Sequence, residues 1–183
     1  MKPFLPLFSL ILAIAAMPSV HAEKADSNKP TEIDAEKLAY DDVKQVSTFA
    51  GAVVITRGTL IMKAERAVVT KDPAGYQYVT LFAAPGALAT FRQKRDGGVD
   101  LWVEGQAERI EYDDKTENAK LFSKAKMRRL DGTKPTDEVQ GEFISYDSRA
   151  EFMAVNNTAT GESKPGGGRI RAVIQPRTPG AAK

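Results

Sequence analysis

Apolar and polar residues alternate with a period of two along most of this chain. Between Ser47 and Arg57, the apolar residues Phe49, Val53 and Ile55 fall on one face of the segment. Successive side chains of a β-strand point to opposite faces, whereas a helical face repeats every 3.6 residues. The same alternation recurs at 60–64, 87–92 and 121–128, and helical spacing does not extend over more than ten residues after the N-terminal segment. The pattern predicts an all-β fold.

Short turn sequences separate these runs, and a degenerate repeat connects them. Pairs such as Gly97-Gly98 and Asp131-Gly132 favour tight hairpins because glycine tolerates positive φ. Four segments share a small residue, an acid and an apolar run, and their acids are Glu36, Glu65, Glu108 and Glu142. A recurring unit of this kind predicts stacked layers of antiparallel strands rather than one closed sheet.

The first 22 residues have the three parts of a secretory signal. Lys2 is followed by an apolar stretch at 4–17 and then by Val20-His21-Ala22, which resembles a cleavage site. The apolar stretch is shorter than the ~20 residues of a spanning helix, although a retained anchor is the alternative. We expect a signal peptide at 1–22, a flexible leader at 23–30, one β domain at 31–176 and a disordered tail at 177–183. Within the domain, the Gly-rich segment 161–168 is expected to be a flexible connector.

Composition argues against catalysis. The sole histidine, His21, lies in the predicted signal peptide, and the chain has no cysteine. The mature protein would therefore lack His- or Cys-dependent catalysis, the usual zinc ligands and disulfides. The carboxylate pairs Asp41/Asp42 and Asp113/Asp114 lie at predicted turns, where aspartate bonds the local backbone. We expect no enzyme, metal or cofactor. Nor does the near-balanced charge, 26 Lys and Arg against 24 Asp and Glu, predict nucleic-acid binding.

Two features leave alternatives open. Lys124, Lys126 and Arg128 form a basic stripe on one face of a predicted strand. Such a stripe keeps a solvent-facing or edge strand soluble, or it contacts an anionic partner through charge-assisted hydrogen bonds. The second feature is the frequency of glycine and alanine on the inward faces. These small residues fit either a compact core or a groove with room for acyl chains.

Several motifs carry a family resemblance. They are Thr31–Glu36, the F-x-G-x-V-x-I-x-x-G run within Thr48–Leu60, Ala64-Glu65, Ala89–Phe91, Val103–Ala107, Gly141–Tyr146 and Ile174–Pro176. Together with the export signal, they resemble the OstA-like family of periplasmic lipopolysaccharide-transport bridge proteins from about Thr31 to Pro176. Ser123 departs from the family pattern, which often has glycine there, and this leaves the strand register open at that point.

The resemblance implies an open, twisted antiparallel β-jelly-roll of around sixteen short strands with an apolar interior groove. It implies a non-enzymatic carrier that binds lipopolysaccharide through its lipid A acyl chains in the periplasm of Gram-negative bacteria. The implied partners are further copies arranged head to tail, an inner-membrane-anchored jelly-roll protein and the periplasmic domain of an outer-membrane translocon. No metal or cofactor is implied.

The candidate site residues follow from this resemblance and from the inward faces. We expect acyl chains to contact Ile33, Phe49, Val53, Ile55, Leu60, Met62, Phe91, Leu121 and Met127. We expect docking between copies at Thr31, Ile33, Ala35, Ile170, Ala172 and Ile174. An open roll leaves strand edges unpaired at its ends, and end-to-end pairing of such edges gives a filament. A structural or carbohydrate-binding β module, with Trp102 as its exposed aromatic, is the alternative.

Overall fold

The computed structural model describes residues 26–176, and the expected all-β fold is confirmed there. The strands are β1 (Glu32–Asp34), β2 (Lys37–Asp41), β3 (Val46–Arg57), β4 (Leu60–Lys71), β5 (Gln77–Phe82), β6 (Ala89–Lys94), β7 (Leu101–Ala107), β8 (Arg109–Asp113), β9 (Asn118–Asp131), β10 (Lys134–Asp147), β11 (Phe152–Asn156) and β12 (Arg171–Ile174). The predicted signal peptide, residues 23–25 of the leader and the predicted tail lie outside the described residues. Within 26–176, no helix has the length and apolar character needed to cross a membrane.

The strands form two antiparallel rows that share the four long strands β3, β4, β9 and β10. Row 1 has the order β1–β3–β4–β6–β7–β9–β10–β12. Row 2 has the order β2–β3–β4–β5–β8–β9–β10–β11. For example, β4 pairs with β6 through Ile61–Lys63 and with β5 through Arg66–Lys71. Since each long strand contributes to both rows, the two rows contain eight segments each, in agreement with the implied architecture.

A corner in the backbone marks where the long strands pass from one row to the other. At the corner, β3 and β9 each have an extra residue relative to the strand they pair with. The φ angles are positive at Gly51 (83°) and Ala52 (45°) in β3, and at Ser123 (63°) and Lys124 (54°) in β9. Ser123 therefore adopts a conformation that favours glycine, and a β-bulge resolves the register that the sequence left open.

The repeated glutamates lie at this same corner. Two of them are within β4 and β10, and the other two are in the connections from β1 to β2 and from β7 to β8. The backbone N–H of Glu36 donates to the carbonyl of Gly51 at 3.2 Å, and that of Glu108 donates to the carbonyl of Ser123 at 3.0 Å. The sequence repeat thus marks the corner, and the expected layering of antiparallel strands is confirmed.

The hydrophobic core lies between the two rows and follows the period-two pattern. Ile55, Leu81, Ile110, Leu121 and Ile144 are fully buried there, and they come from strands of both rows. Burying side chains of this size stabilises the fold by about 1.5–3 kcal/mol each. The core therefore holds the two rows together along their shared strands.

Gly105 leaves space in this core for the ring of Phe91. The two residues lie directly opposite each other on β7 and β6, and a Cβ at position 105 would lie 2.1 Å from Phe91 Cε1. We expect Gly105→Ala to lower the free energy of unfolding by about 1–3 kcal/mol, as overpacked cores do. Chemical denaturation measures this loss, and Phe91→Leu should recover part of it in the same background. An unchanged midpoint for Gly105→Ala would contradict this packing.

Two segments that were expected to be flexible are each held by one polar side chain. The buried carboxylate of Asp26 accepts hydrogen bonds from the backbone N–H and the hydroxyl of Thr59, at 2.8 and 2.5 Å. After β11, the Asn157 side chain bonds the backbone of Lys164 and Gly168 at 2.8–3.2 Å. These side chains connect the leader to the β3–β4 turn and close the connector on itself, and the flexibility of both segments stays a prediction.

Candidate functional site

The residues predicted to contact acyl chains lie together in or beside the interior. Ile33 and Phe49 are partly buried and pack against the core cluster. The others are buried within it: Val53, Ile55, Leu60, Met62, Phe91, Leu121 and Met127. In this structure the protein's own side chains fill the interior, so these positions form its core. Their contact with lipid stays a prediction.

Among the described residues, two of the cavities that reach solvent are lined by residues of the core, and we call them the mouths. The N-terminal mouth, a cavity of about 220 Å³, is lined by Ile33, Phe49 and Val69 together with polar residues of β2 to β5. The C-terminal mouth, of about 360 Å³, lies between β12 and β11, and its apolar lining includes Met127 and Val139. Three of the residues predicted to contact lipid, Ile33, Phe49 and Met127, therefore line these mouths.

Edge strands border both mouths. Among the described strands, β1 and β2 are the free edges at one end of the rows, and β12 and β11 are the free edges at the other. The expected docking residues lie at these edges. Ile33 is in β1, between the flanking residues Thr31 and Ala35, whereas Ala172 and Ile174 are in β12, which begins one residue after Ile170. The apolar run in 169–174 predicts a last strand over these six residues, and the observed strand covers the last four of them. Docking itself stays a prediction.

The backbone of β12 offers free hydrogen-bonding groups. The N–H of Gln175 donates to the carbonyl of Thr136 at 3.1 Å, so these two opposed residues form a hydrogen-bonded pair. Hydrogen-bonded and non-hydrogen-bonded pairs alternate along an antiparallel ladder. The N–H groups of Ala172 and Ile174 therefore point away from β10, towards the open edge. The exposed side chain of Ile174 adds apolar surface to that edge.

The row 2 edges are not among the predicted docking residues. Leu38 and Tyr40 of β2 and Phe152 of β11 are exposed large side chains at the two ends. The signal was present for β2, because the repeated motif at Glu36 introduces an alternating run. Each end of the described rows therefore presents two edge strands, and β2, β11 and β12 have exposed apolar side chains.

The basic stripe lies on the outer face of β9, a strand with neighbours on both sides in both rows. Lys124, Lys126 and Arg128 each contact a carboxylate at 2.7 Å, those of Glu108, Glu138 and Glu104 respectively. The hydrogen bond from Lys126 lowers the pKa of Glu138, and the hydrogen bond to Glu108 raises the pKa of Lys124. The stripe is thus a set of solvent-facing ion pairs, and its contact with lipid phosphate stays untested.

Three arginines join row 1 to the turns of row 2, along a line that we call the seam. The Arg57 guanidinium is paired with Asp114 in the β8–β9 turn and donates to the Tyr112 hydroxyl at 2.9 Å. Further along, Arg95 and Arg129 both reach Glu151 in the β10–β11 turn. The Arg95 guanidinium contacts its carboxylate at 2.6 Å, and the Arg129 guanidinium donates to its carbonyl at 3.0 Å.

Burial distinguishes the seam from the outer ion pairs. The side chains of Arg57 and Arg95 are only 7% and 13% exposed. Burial by itself lowers the pKa of Arg57. The neighbouring Tyr112 and Asp114 raise this pKa by more than burial lowers it, so the net shift is upwards. The guanidinium therefore stays charged in a largely water-excluded position. The seam lies outside the predicted inward faces, because each of those faces ends at its last apolar residue. Continuing the alternation past Ile55 and Met127 leads directly to Arg57 and Arg129.

The candidates for other functions are accounted for by local structure. Asp41 and Asp113 accept hydrogen bonds from the backbone N–H groups of Lys44 (3.0 Å) and Lys115 (2.9 Å), which confirms their predicted turn role. The guanidinium carbon of Arg92 lies 4.2 Å from the centroid of the Trp102 ring. Arg92 therefore covers one face of the aromatic ring that the alternative carbohydrate-binding module would use. Within residues 26–176, no group of three or more potential ligands among His, Cys, Asp and Glu is placed to hold a metal ion.

The two rows, their corner and the open ends define an antiparallel β-jelly-roll of the open kind. The family model described as "LptA/(LptD N-terminal domain) LPS transport protein" matches residues 32–152, from β1 to the start of β11. The chain belongs to this family, as the motifs around Phe49 and Glu142 predicted.

Individual relatives agree with this assignment. The lipopolysaccharide export system protein LptA of Haemophilus influenzae is 29% identical over 167 residues, which cover 91% of this chain and 89% of the relative. LptA of Escherichia coli K12 is 30% identical over 141 residues, or 75% and 72% of the two chains. The crystal structure of LptH, described as the LptA-homologous periplasmic component of the lipopolysaccharide transport device of Pseudomonas aeruginosa, superposes with a TM-score of 0.71. It is 24% identical, with 82% of this chain and 99% of that chain covered. The expected fold is therefore confirmed.

Proposed function

We propose that this protein is a periplasmic lipopolysaccharide-binding transport protein that bridges the inner and outer membranes. It would carry lipid acyl chains between its two rows and assemble head to tail, without catalysing a reaction. The observation that supports this most directly is the apolar interior, which reaches solvent at both ends between free edge strands. When the C-terminal edge of one copy pairs with the N-terminal edge of the next, the two mouths meet and the interiors become continuous.

Energetics make the interior a suitable place for acyl chains. Each methylene that leaves water contributes about 0.8 kcal/mol, so a few chains suffice for stable capture. Because the interior is filled by side chains, a chain must displace them or separate the rows. Met62 and Met127 suit this role, since methionine is unbranched and adapts to irregular space. The sugar and phosphate groups would stay outside the core.

The proposed partners share one recognition mode. Further copies of this chain, an inner-membrane-anchored jelly-roll protein and the periplasmic domain of an outer-membrane translocon would each add a strand to an open edge. On the N-terminal side the proposed docking residues are Thr31, Ile33 and Ala35. On the C-terminal side they are Ile170, Ala172 and Ile174. The two edges differ, so pairing is head to tail and extends into a filament.

Photocrosslinking tests the lipid-binding interior. A photoreactive amino acid at Met127 or Phe49 is expected to capture lipopolysaccharide, because both side chains line a mouth. Matched controls are Lys126 and Thr48, the preceding residues on the same strands, whose side chains point to the opposite face. Crosslinked lipid is detected by immunoblot against lipopolysaccharide. Equal labelling of the inner and outer positions would contradict the proposal. Competition by acyl-free polysaccharide would instead support a carbohydrate-binding module.

A further inference from the structure

We propose that the seam arginines Arg57, Arg95 and Arg129 form a binding row for the phosphate groups of an acylated glycolipid. This inference rests on the proposed function, and it assigns to that function a headgroup site that the apolar interior does not supply. In the protein without lipid, the Asp114 carboxylate pairs with the Arg57 guanidinium, and the Glu151 carboxylate pairs with the Arg95 guanidinium. Phosphate would take their place when acyl chains enter between the rows.

The first support is unused hydrogen-bonding capacity. The Nε atoms of all three arginines are buried without a hydrogen-bond partner among the described residues. Their hydrogen bonds to row 2 use the terminal Nη atoms. A guanidinium presents Nε and Nη as a planar fork that matches two oxygens of a phosphate or carboxylate. Phosphate therefore satisfies donors that Asp114 and Glu151 leave unused.

The second support is position. Arg57 ends β3, Arg95 follows β6 and Arg129 is near the end of β9, so one strand of row 1 separates each from the next. Neighbouring strands are about 4.8 Å apart, so the strands that carry these arginines are roughly 10 Å apart along the row. Arg129 also lines the C-terminal mouth together with Met127. A lipid with its chains in the interior would thus pass its headgroup along the arginines.

The third support is the contrast with the basic stripe. Lys124, Lys126 and Arg128 face outwards, away from the interior, and each already contacts a carboxylate at 2.7 Å. Contacts to exposed ions of this kind are weak, because water and salt screen them. Arg57 is buried, the Arg95 side chain is 13% exposed, and the Nε atoms of all three seam arginines are buried, so a charge-assisted hydrogen bond to these atoms is stronger. Headgroup phosphate is therefore assigned to the seam rather than to the stripe.

Lipid binding by matched variants tests the assignment. The purified protein carrying Arg95→Gln or Arg129→Gln is titrated with bisphosphorylated lipid A and with the same lipid after removal of its phosphates. We expect the affinity for the phosphorylated lipid to fall about tenfold, since a hydrogen bond to a charged group is lost, and that for the dephosphorylated lipid to change less than about twofold. Arg92→Gln and Arg128→Gln, on the outer faces of β6 and β9, should leave both affinities unchanged.

A variant that is expected to bind the phosphorylated lipid more tightly distinguishes a lost phosphate contact from loss of the fold. Glu151→Gln removes the competing carboxylate, so it should raise the affinity for phosphorylated lipid about threefold. The affinity for the dephosphorylated lipid should stay unchanged. Equal losses for both lipids in the arginine variants, or no gain with Glu151→Gln, would assign the seam a purely structural role. Displacement of the lipid by 20 mM inorganic phosphate would show a free-phosphate site and overturn the headgroup assignment. If neither lipid binds the wild-type protein, the proposed function itself fails.

Discussion

Ala172→Pro in β12 is expected to weaken end-to-end association by about a hundredfold. The N–H of Ala172 points to the open edge, so an incoming strand would use it as a donor. Proline removes that donor, and its ring projects into the space of the incoming backbone, at a combined cost of about 3 kcal/mol. The pairing of β12 with β10 should persist, because the residues that bond β10 are its neighbours. Light scattering coupled to size exclusion over a concentration series measures the change.

Ala172→Val is the matched control for this substitution. Valine keeps the N–H and favours extended backbone, so oligomers should form as in the unmodified protein. If Ala172→Pro assembles at the same concentrations as Ala172→Val, then β12 is not the docking edge. If the unmodified protein stays monomeric at every concentration, with and without lipopolysaccharide, the head-to-tail part of the proposed function is wrong.

The local pattern of the sequence is sufficient to predict the elements of the fold. Alternation along 47–57 and 121–128 identifies strands and their inward faces, because side-chain period depends only on backbone geometry. The buried residues Ile55 and Leu121 are on the predicted faces. The family motifs, which extend the prediction from strands to a jelly-roll, are dense enough to align nearly the whole domain.

The seam could not be predicted in the same way. Its contacts join Arg57 to Asp114 and Arg95 to Glu151, residues that are 57 and 56 positions apart in the chain. Such pairs depend on how far the two rows twist towards each other, and no local period encodes that angle. Asp114 therefore looked like one more turn aspartate. Its neighbour Asp113 does have the turn role, whereas Asp114 turns inwards to an arginine.

The contact between the leader and the β3–β4 turn could not be predicted for a related reason. Its composition is polar and lacks large apolar residues, which is typical of flexible segments. One carboxylate, that of Asp26, nevertheless finds two donors on Thr59 at the β3–β4 turn. Composition reports the average tendency of a segment, whereas a single well-placed hydrogen-bond pair can fasten it.

Asp114→Ala is expected to lower the free energy of unfolding by about 3–5 kcal/mol, the largest stability effect that we expect of a single substitution. The Arg57 side chain is almost fully buried and that of Asp114 is largely buried. Removing the carboxylate leaves a charged guanidinium with the Tyr112 hydroxyl but without its counter-ion. An arginine cannot relieve this by losing its proton under ordinary conditions. Urea denaturation followed by circular dichroism measures the loss.

Two further variants separate the buried charge from general damage to the turn. Arg57→Leu combined with Asp114→Ala removes both ions, so it should be more stable than Asp114→Ala alone, since no uncompensated charge remains. Lys44→Ala removes the partner of Asp41 in an exposed pair, and it should cost less than about 1 kcal/mol because water already solvates both groups. If the double variant is no more stable than Asp114→Ala, the loss comes from the turn rather than from the unpaired guanidinium, and the seam does not hold the two rows together by charge.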